Sequence, residues 1–110
     1  MKLKDIVENM SLRPFTESFD PGKEVTGGYA SDLLSDVMGH AQEGQLWITL
    51  QTHKNITGIA SLKDLAGIIV VKGFEPDADT IETANEEGIA IFGTDLQTFE
   101  LCGRLYDLIG

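Results

Sequence analysis

The sequence contains one cysteine, Cys102, which excludes an internal disulfide and fits a reducing compartment. Its surroundings, Phe99-Glu100-Leu101-Cys102-Gly103, supply no histidine or lysine to depress a thiol pKa, so it is expected to pack as a small hydrophobe. No apolar run reaches the length needed to span a bilayer, so no membrane partner is expected. The opening Met1-Lys2-Leu3-Lys4-Asp5 carries charge where a signal peptide needs apolar residues, which predicts a cytoplasmic location. Bases are scarce: 8 against 18 acids, a formal charge of −10. Phosphate backbones and anionic bilayers are repelled by such a chain, which excludes nucleic acid as a partner. Also missing are a Gly-x-Ser-x-Gly elbow, a Cys-x-x-Cys pair, a His-Glu-x-x-His zinc motif and a lysine-bearing phosphate loop. No catalytic residue, metal set or cofactor is therefore assigned.

What remains is a chain of 110 residues, 42% apolar, sized for one domain over residues 1–110. Leu3, Ile6, Val7 and Met10 predict an N-terminal helix over 2–10, followed by an extended segment at Leu12–Thr16 and a turn at Asp20-Pro21-Gly22. A strand is expected at Glu24–Thr26, running into Gly27-Gly28. Ser31 is placed to cap a helix with Leu33, Leu34, Val37, Met38 and Ala41 on its inner stripe and Gly44 at its end. Leu46–Leu50 predicts a strand, and Ile56–Leu65 a helix that Gly58 weakens. Gly67–Val71 is apolar throughout, as a strand covered on both faces should be. A helix opened by Pro76-Asp77 and closed by Gly88, a strand at Ile89–Phe92 and a last helix from Asp95 complete the chain. The last helix is expected to turn Phe99, Cys102, Leu105, Tyr106 and Ile109 inward. Strands and helices alternating over short connections predict an α/β layered sandwich around a mostly parallel sheet.

Ligands gather at the carboxyl ends of strands in such sheets. Four polar segments are expected there: Gly27–Ser31, Gln51–Asn55, Lys72–Pro76 and Gly93–Asp95. The first, Thr26-Gly27-Gly28-Tyr29-Ala30-Ser31-Asp32, reads either as a tight turn with a helix cap or as paired glycines letting backbone N–H groups approach an anion. Asp32 and Asp36 share a helix face with Ser35, a solvated face unless a metal brings them together. In the second, Gln51-Thr52-His53-Lys54-Asn55, His53 is either a general base or anion donor, or a surface histidine; Asn55 is a candidate helix cap. His40 is expected on the exposed side of its helix. Lys72-Gly73 and Thr94 are further contributors. The candidate ligand-binding residues are thus Thr26, Gly27, Gly28, Tyr29, Ser31, Asp32, Gln51, Thr52, His53, Asn55, Lys72 and Thr94.

The run Val25-Thr26-Gly27-Gly28-Tyr29-Ala30-Ser31-Asp32-Leu33-Leu34-Ser35-Asp36-Val37 resembles the signature of DRTGG-domain proteins, as does Trp47–Ile56. The stretch Leu65–Val70, Lys72-Gly73, Pro76, Ala84, Gly88-Ile89 and Thr94 is similar to the same domain and, more distantly, to the N-terminal domain of HPr kinase/phosphorylases. Glu24 and Val25 stand where the literal motif has Asp and Arg. The resemblance implies an α/β fold with parallel strands. It also implies regulatory or dimerising service, alone or joined to CBS domains, phosphate acetyltransferases or inorganic pyrophosphatases. Stand-alone members accompany iron-only hydrogenase and anti-sigma-type systems, and the kinase's catalytic domain has no counterpart here.

Together these readings predict a regulatory module for a small polar or phosphorylated ligand, nucleotides included. The alternative is an interaction or homodimerisation module, with Phe19, Tyr29 and Phe74 as exposed anchors.

Overall fold

The computed structural model describes residues 1–110. Its elements run α1 (Leu3–Asn9), β1 (Arg13–Pro14), β2 (Gly27–Ala30), α2 (Leu34–His40), β3 (Gln45–Thr49), α3 (Asn55–Leu62), β4 (Gly67–Val70), α4 (Ala78–Glu87), β5 (Ile91–Gly93) and α5 (Thr98–Ile109). The five strands form one sheet in the order β1-β5-β4-β3-β2, parallel except for the antiparallel pair of β1 with β5. No helix is long and apolar enough to cross a membrane.

The strand sequences explain the three layers. A strand's side chains alternate between faces, so a strand covered on both sides is apolar at every position. Leu46 and Ile48 of β3, Ile69 of β4 and Phe92 of β5 meet Leu3 and Ile6 of α1 and Leu101 and Leu105 of α5. Their neighbours Trp47, Ile68, Val70 and Ile91 meet Val37 of α2, Ile56 and Ile59 of α3 and Ala84 of α4 on the opposite face. Most of these side chains are fully buried, each worth about 1.5–3 kcal/mol in water-to-core transfer. The outcome is an α/β sandwich around a mostly parallel sheet.

Several local expectations are corrected. Glu24–Thr26 is not the strand: Glu24 only bridges Lys2, and the strand is Gly27–Ala30, in register with Gln45–Ile48. The helix after it begins at Leu34, with Leu33 rather than Ser31 at its N-cap position and no side-chain cap bond. Leu33 and Met38 are exposed, leaving Val37 and Ala41 as its buried contacts, and the helix stops at His40, short of Gly44. Residues 55–62 are helical despite Gly58, which has open space around it. Gly88 closes α4 with a left-handed φ of 72°, as its sequence position suggests.

The last helix is rotated from expectation by about 50°, half of one residue's step. Leu101 and Leu105 are buried and Cys102 and Ile109 half-buried, but Phe99 is 92% and Tyr106 71% exposed. α5 lies beside edge strand β2, whose Gly27 and Gly28 offer no side chains and beyond which no strand lies, so its far flank has nothing to pack against.

Candidate functional site

The expected site divides into four places. At the carboxyl ends of β2 and β3, Asp32 turns away from α2 and places Oδ1 2.8 Å from Thr49 Oγ1 and 2.7 Å from the Leu50 amide, accepting from both. Gln51 Nε2 donates to the Asp32 carbonyl at 2.8 Å, and the Trp47 indole donates to the Ser31 carbonyl at 2.8 Å. Ser31 Oγ accepts from the Leu33 amide at 3.2 Å. These bonds hold the β2–α2 turn against the end of β3. Asp36, meanwhile, accepts from the Tyr29 phenol at 2.9 Å, so the two carboxylates go to different partners and form no pair. The Ser31 hydroxyl beside it, then the Tyr29 phenol, hold the Asp36 carboxyl below its ordinary value, while that same hydrogen bond raises the Tyr29 phenol. His40 is exposed as expected, its Nδ1 3.2 Å from Asp36 Oδ1.

In the second place the β3–α3 loop is sewn to the start of α4. The Thr52 carbonyl accepts from the Asp77 amide at 3.0 Å and from Thr80 Oγ1 at 2.8 Å, and His53 Nδ1 lies 3.1 Å from Asp77 Oδ2. His53 is solvent-facing, and Asn55 is the first residue of α3 rather than its cap. In the third place, Lys72 takes a left-handed φ of 62°, its amide donating to the Leu96 carbonyl and that of Gly73 to the Thr94 carbonyl. Thr94 is buried, its hydroxyl accepting from the Leu96 amide at 3.2 Å.

The fourth place holds Thr26, Gly27 and Gly28. Gly27 and Gly28 pair with Gln45 and Leu46, at the amino end of β3, while His53 follows its carboxyl end. The first polar segment is therefore a strand, not a loop before a helix, and does not share a cleft with His53. Of the two glycines Gly28 is the closely packed one: a Cβ there would lie 3.1 Å from Leu105 Cδ2 and 3.5 Å from Ile48 Cδ1, whereas one at Gly27 would rest in ordinary contact with Gln45 at 3.8 Å. Both glycines floor a groove of ≈340 Å³ between β2 and α5, walled by Ile48, Cys102, Leu105, Tyr106 and Ile109 and edged by Thr26 and Gln45. Burial raises the Cys102 thiol. The molecule has two smaller hollows of ≈270 Å³, one by Arg13 and Arg104, the other by the Lys23–Asp64 ion pair. None of the three is lined by Asp32, Gln51, Thr52, His53, Asn55 or Lys72.

No family model matches the sequence, and no curated protein matches it significantly. Among solved structures, the chain is similar to the CBS and DRTGG domains of the regulatory region of Clostridium perfringens pyrophosphatase, crystallised with its activator diadenosine tetraphosphate. The TM-score is 0.69 at 20% identity, over 94% of this chain and 45% of that one. The fold is DRTGG-like. The chain spans less than half of that structure's length.

In this DRTGG-like domain Gly27-Gly28 begins the edge strand, Gly28 packing against Leu105 of α5, and Thr26 precedes it with its hydroxyl donating to the Glu43 carbonyl. Of the groove lining, sequence reasoning missed Ala30, Gln45, Ile48 and Gly110 as site residues and read Cys102, Leu105, Tyr106 and Ile109 as inward core rather than groove wall. Their signal is indirect: α5 carries a wider apolar arc than one glycine-bearing strand can cover. Of the expected aromatic anchors, Phe19 packs edge-on to Phe92 with ring centres 5.3 Å apart and Tyr29 is half-buried, so only Phe74 is exposed.

Proposed function

We propose that this chain is a non-catalytic regulatory module that binds a small ligand in the β2–α5 groove. The carrying observation is the groove itself. Its ≈340 Å³ falls within the span of small-molecule sites, roughly 300–1,000 Å³, and it joins apolar walls to a few polar groups. A nucleoside or nucleotide suits it, with a flat ring on the glycine floor beside Tyr106 and polar edges toward Thr26 and Gln45. The similar solved structure is a regulatory region with a nucleotide activator, which supports the reading. His53 lies with Asp77 on the exposed side of the β3–α3 loop, outside all three hollows of the molecule. Of the expected ligand residues, Thr26, Gly27 and Gly28 line the groove.

Amide-resolved NMR titration with adenosine and its phosphates tests this. With adenosine, shifts confined to residues 26–30, 45–48 and 102–110 are expected, and Gly28→Leu, which fills the groove, should abolish them. A folded protein unmoved by the whole panel would overturn the reading.

A second reading, homodimerisation, is favoured by β2 being an edge strand with no proline or lysine to guard it, next to exposed Phe99 and Tyr106. Sedimentation over a range of concentrations should then show a dimer that Phe99→Ser dissociates; a strict monomer rejects it.

A further inference from the structure

We propose that the hollow between β1 and α5 binds the phosphate group of a small phosphorylated molecule through Arg13 and Arg104. The site stands on residues outside the β2–α5 groove and does not depend on that groove being occupied. The sequence has only two arginines, and the fold delivers both to one hollow of ≈270 Å³. Arg13 comes from β1, beside Gly93, and Arg104 from the flank of α5 opposite the groove. Asn9, Ser11, Thr94 and Asp95 complete its polar lining.

Each guanidinium is engaged by one carboxylate through a single contact: Arg13 Nη1 to Asp95 Oδ1 and Arg104 Nη2 to Glu100 Oε2, both at 3.2 Å. A guanidinium has five N–H donors in a rigid fork, so most of each fork is free. Both pairs are exposed and therefore weak and exchangeable: Asp95 is 83% and Glu100 51% accessible. A phosphate dianion satisfies such forks in a bidentate way that one carboxylate oxygen does not. The Thr94 hydroxyl, which accepts from the Leu96 amide, keeps its own proton to donate from the buried floor. On the rim, Ser11 closes α1 in the left-handed conformation of a helix end, φ 51°, with the Leu12 amide donating to the Val7 carbonyl. The Asn9 amide is already committed to the Asp5 carbonyl at 2.7 Å and is not counted as a donor. The chain's charge of −10 opposes anions at long range, so the site suits one closely coordinated phosphate rather than a polyanion.

Titration with inorganic phosphate, followed by amide NMR against chloride at matched ionic strength, is the test. Saturable shifts are expected at Ser11, Arg13, Thr94–Leu96 and Arg104. Arg13→Gln and Arg104→Gln should each weaken binding about tenfold. Asp95→Asn, which removes a competing carboxylate from an exposed position, should tighten it several-fold. Shifts that fail to saturate, that chloride reproduces, or that survive both arginine variants would overturn the proposal. Adenosine, which has no phosphate, should leave the Ser11, Arg13 and Thr94–Leu96 signals unmoved, so failure here and failure of the groove are separately visible.

Discussion

Asp32 was expected to contact ligand, but its geometry makes it a connector, and replacing it separates the two roles. Its Oδ1 alone accepts both the Thr49 hydroxyl, at 2.8 Å, and the Leu50 amide, at 2.7 Å. Hydrogen bonds to a charged acceptor contribute about 1.5–3 kcal/mol each when shielded. Asp32 is exposed and water reaches half-buried Leu50, so that bond is discounted; Thr49 is only 1% accessible, and its hydroxyl would lose its acceptor. Asp32→Ala should therefore cost about 2 kcal/mol in all. For a domain of this size that is a fall in Tm of roughly 8 °C. Asp32→Asn keeps an oxygen in the same place with two lone pairs, so it should retain both bonds and cost under about 1 kcal/mol. Urea unfolding of the three proteins, analysed at a common m-value, reads the difference. Equal losses for Ala and Asn, or no loss for Ala, would refute the connector argument.

Gly93→Ala should be destabilising by about 1–3 kcal/mol, because its Cβ would come within 2.5 Å of Phe15 Cε2 and 2.8 Å of Cζ on a half-buried ring; thermal denaturation checks it, and an unchanged Tm would show that β1 moves freely. The Asp36 carboxyl is held below its ordinary 3.8, by the Ser31 hydroxyl first and then the Tyr29 phenol. Its folded value lies under its unfolded one, so this contribution is complete above the unfolded value and is lost as pH falls through the folded value. The stability gap between the natural protein and Asp36→Asn should accordingly be constant near neutrality and close as the solution is acidified below about pH 4. A gap independent of pH in that range would contradict the assignment.

The layers of the fold were legible because the signal is local. Leu46–Ile48 and Gly67–Val71 are apolar at consecutive positions, which only a strand buried on both faces requires, and Gly88 marks a left-handed helix end. The site was less legible because its polar residues look alike whether they meet a ligand or each other. Asp32, Thr52 and His53 read as free chemistry along the chain, yet in three dimensions they bond to neighbouring segments of the protein.

The sequence by itself therefore determined an acidic α/β domain without an evident catalytic set, and it drew attention to Gly27-Gly28. Only the tertiary structure decided what those glycines do. Strand order leaves β2 at the sheet edge, and packing brings Leu105 to within van der Waals reach of Gly28. The same packing leaves Phe99 and Tyr106 without cover and gathers Arg13 and Arg104 on the helix's other flank. Periodicity reports which residues are apolar; how much of that surface a neighbour covers depends on contacts between residues far apart in the chain.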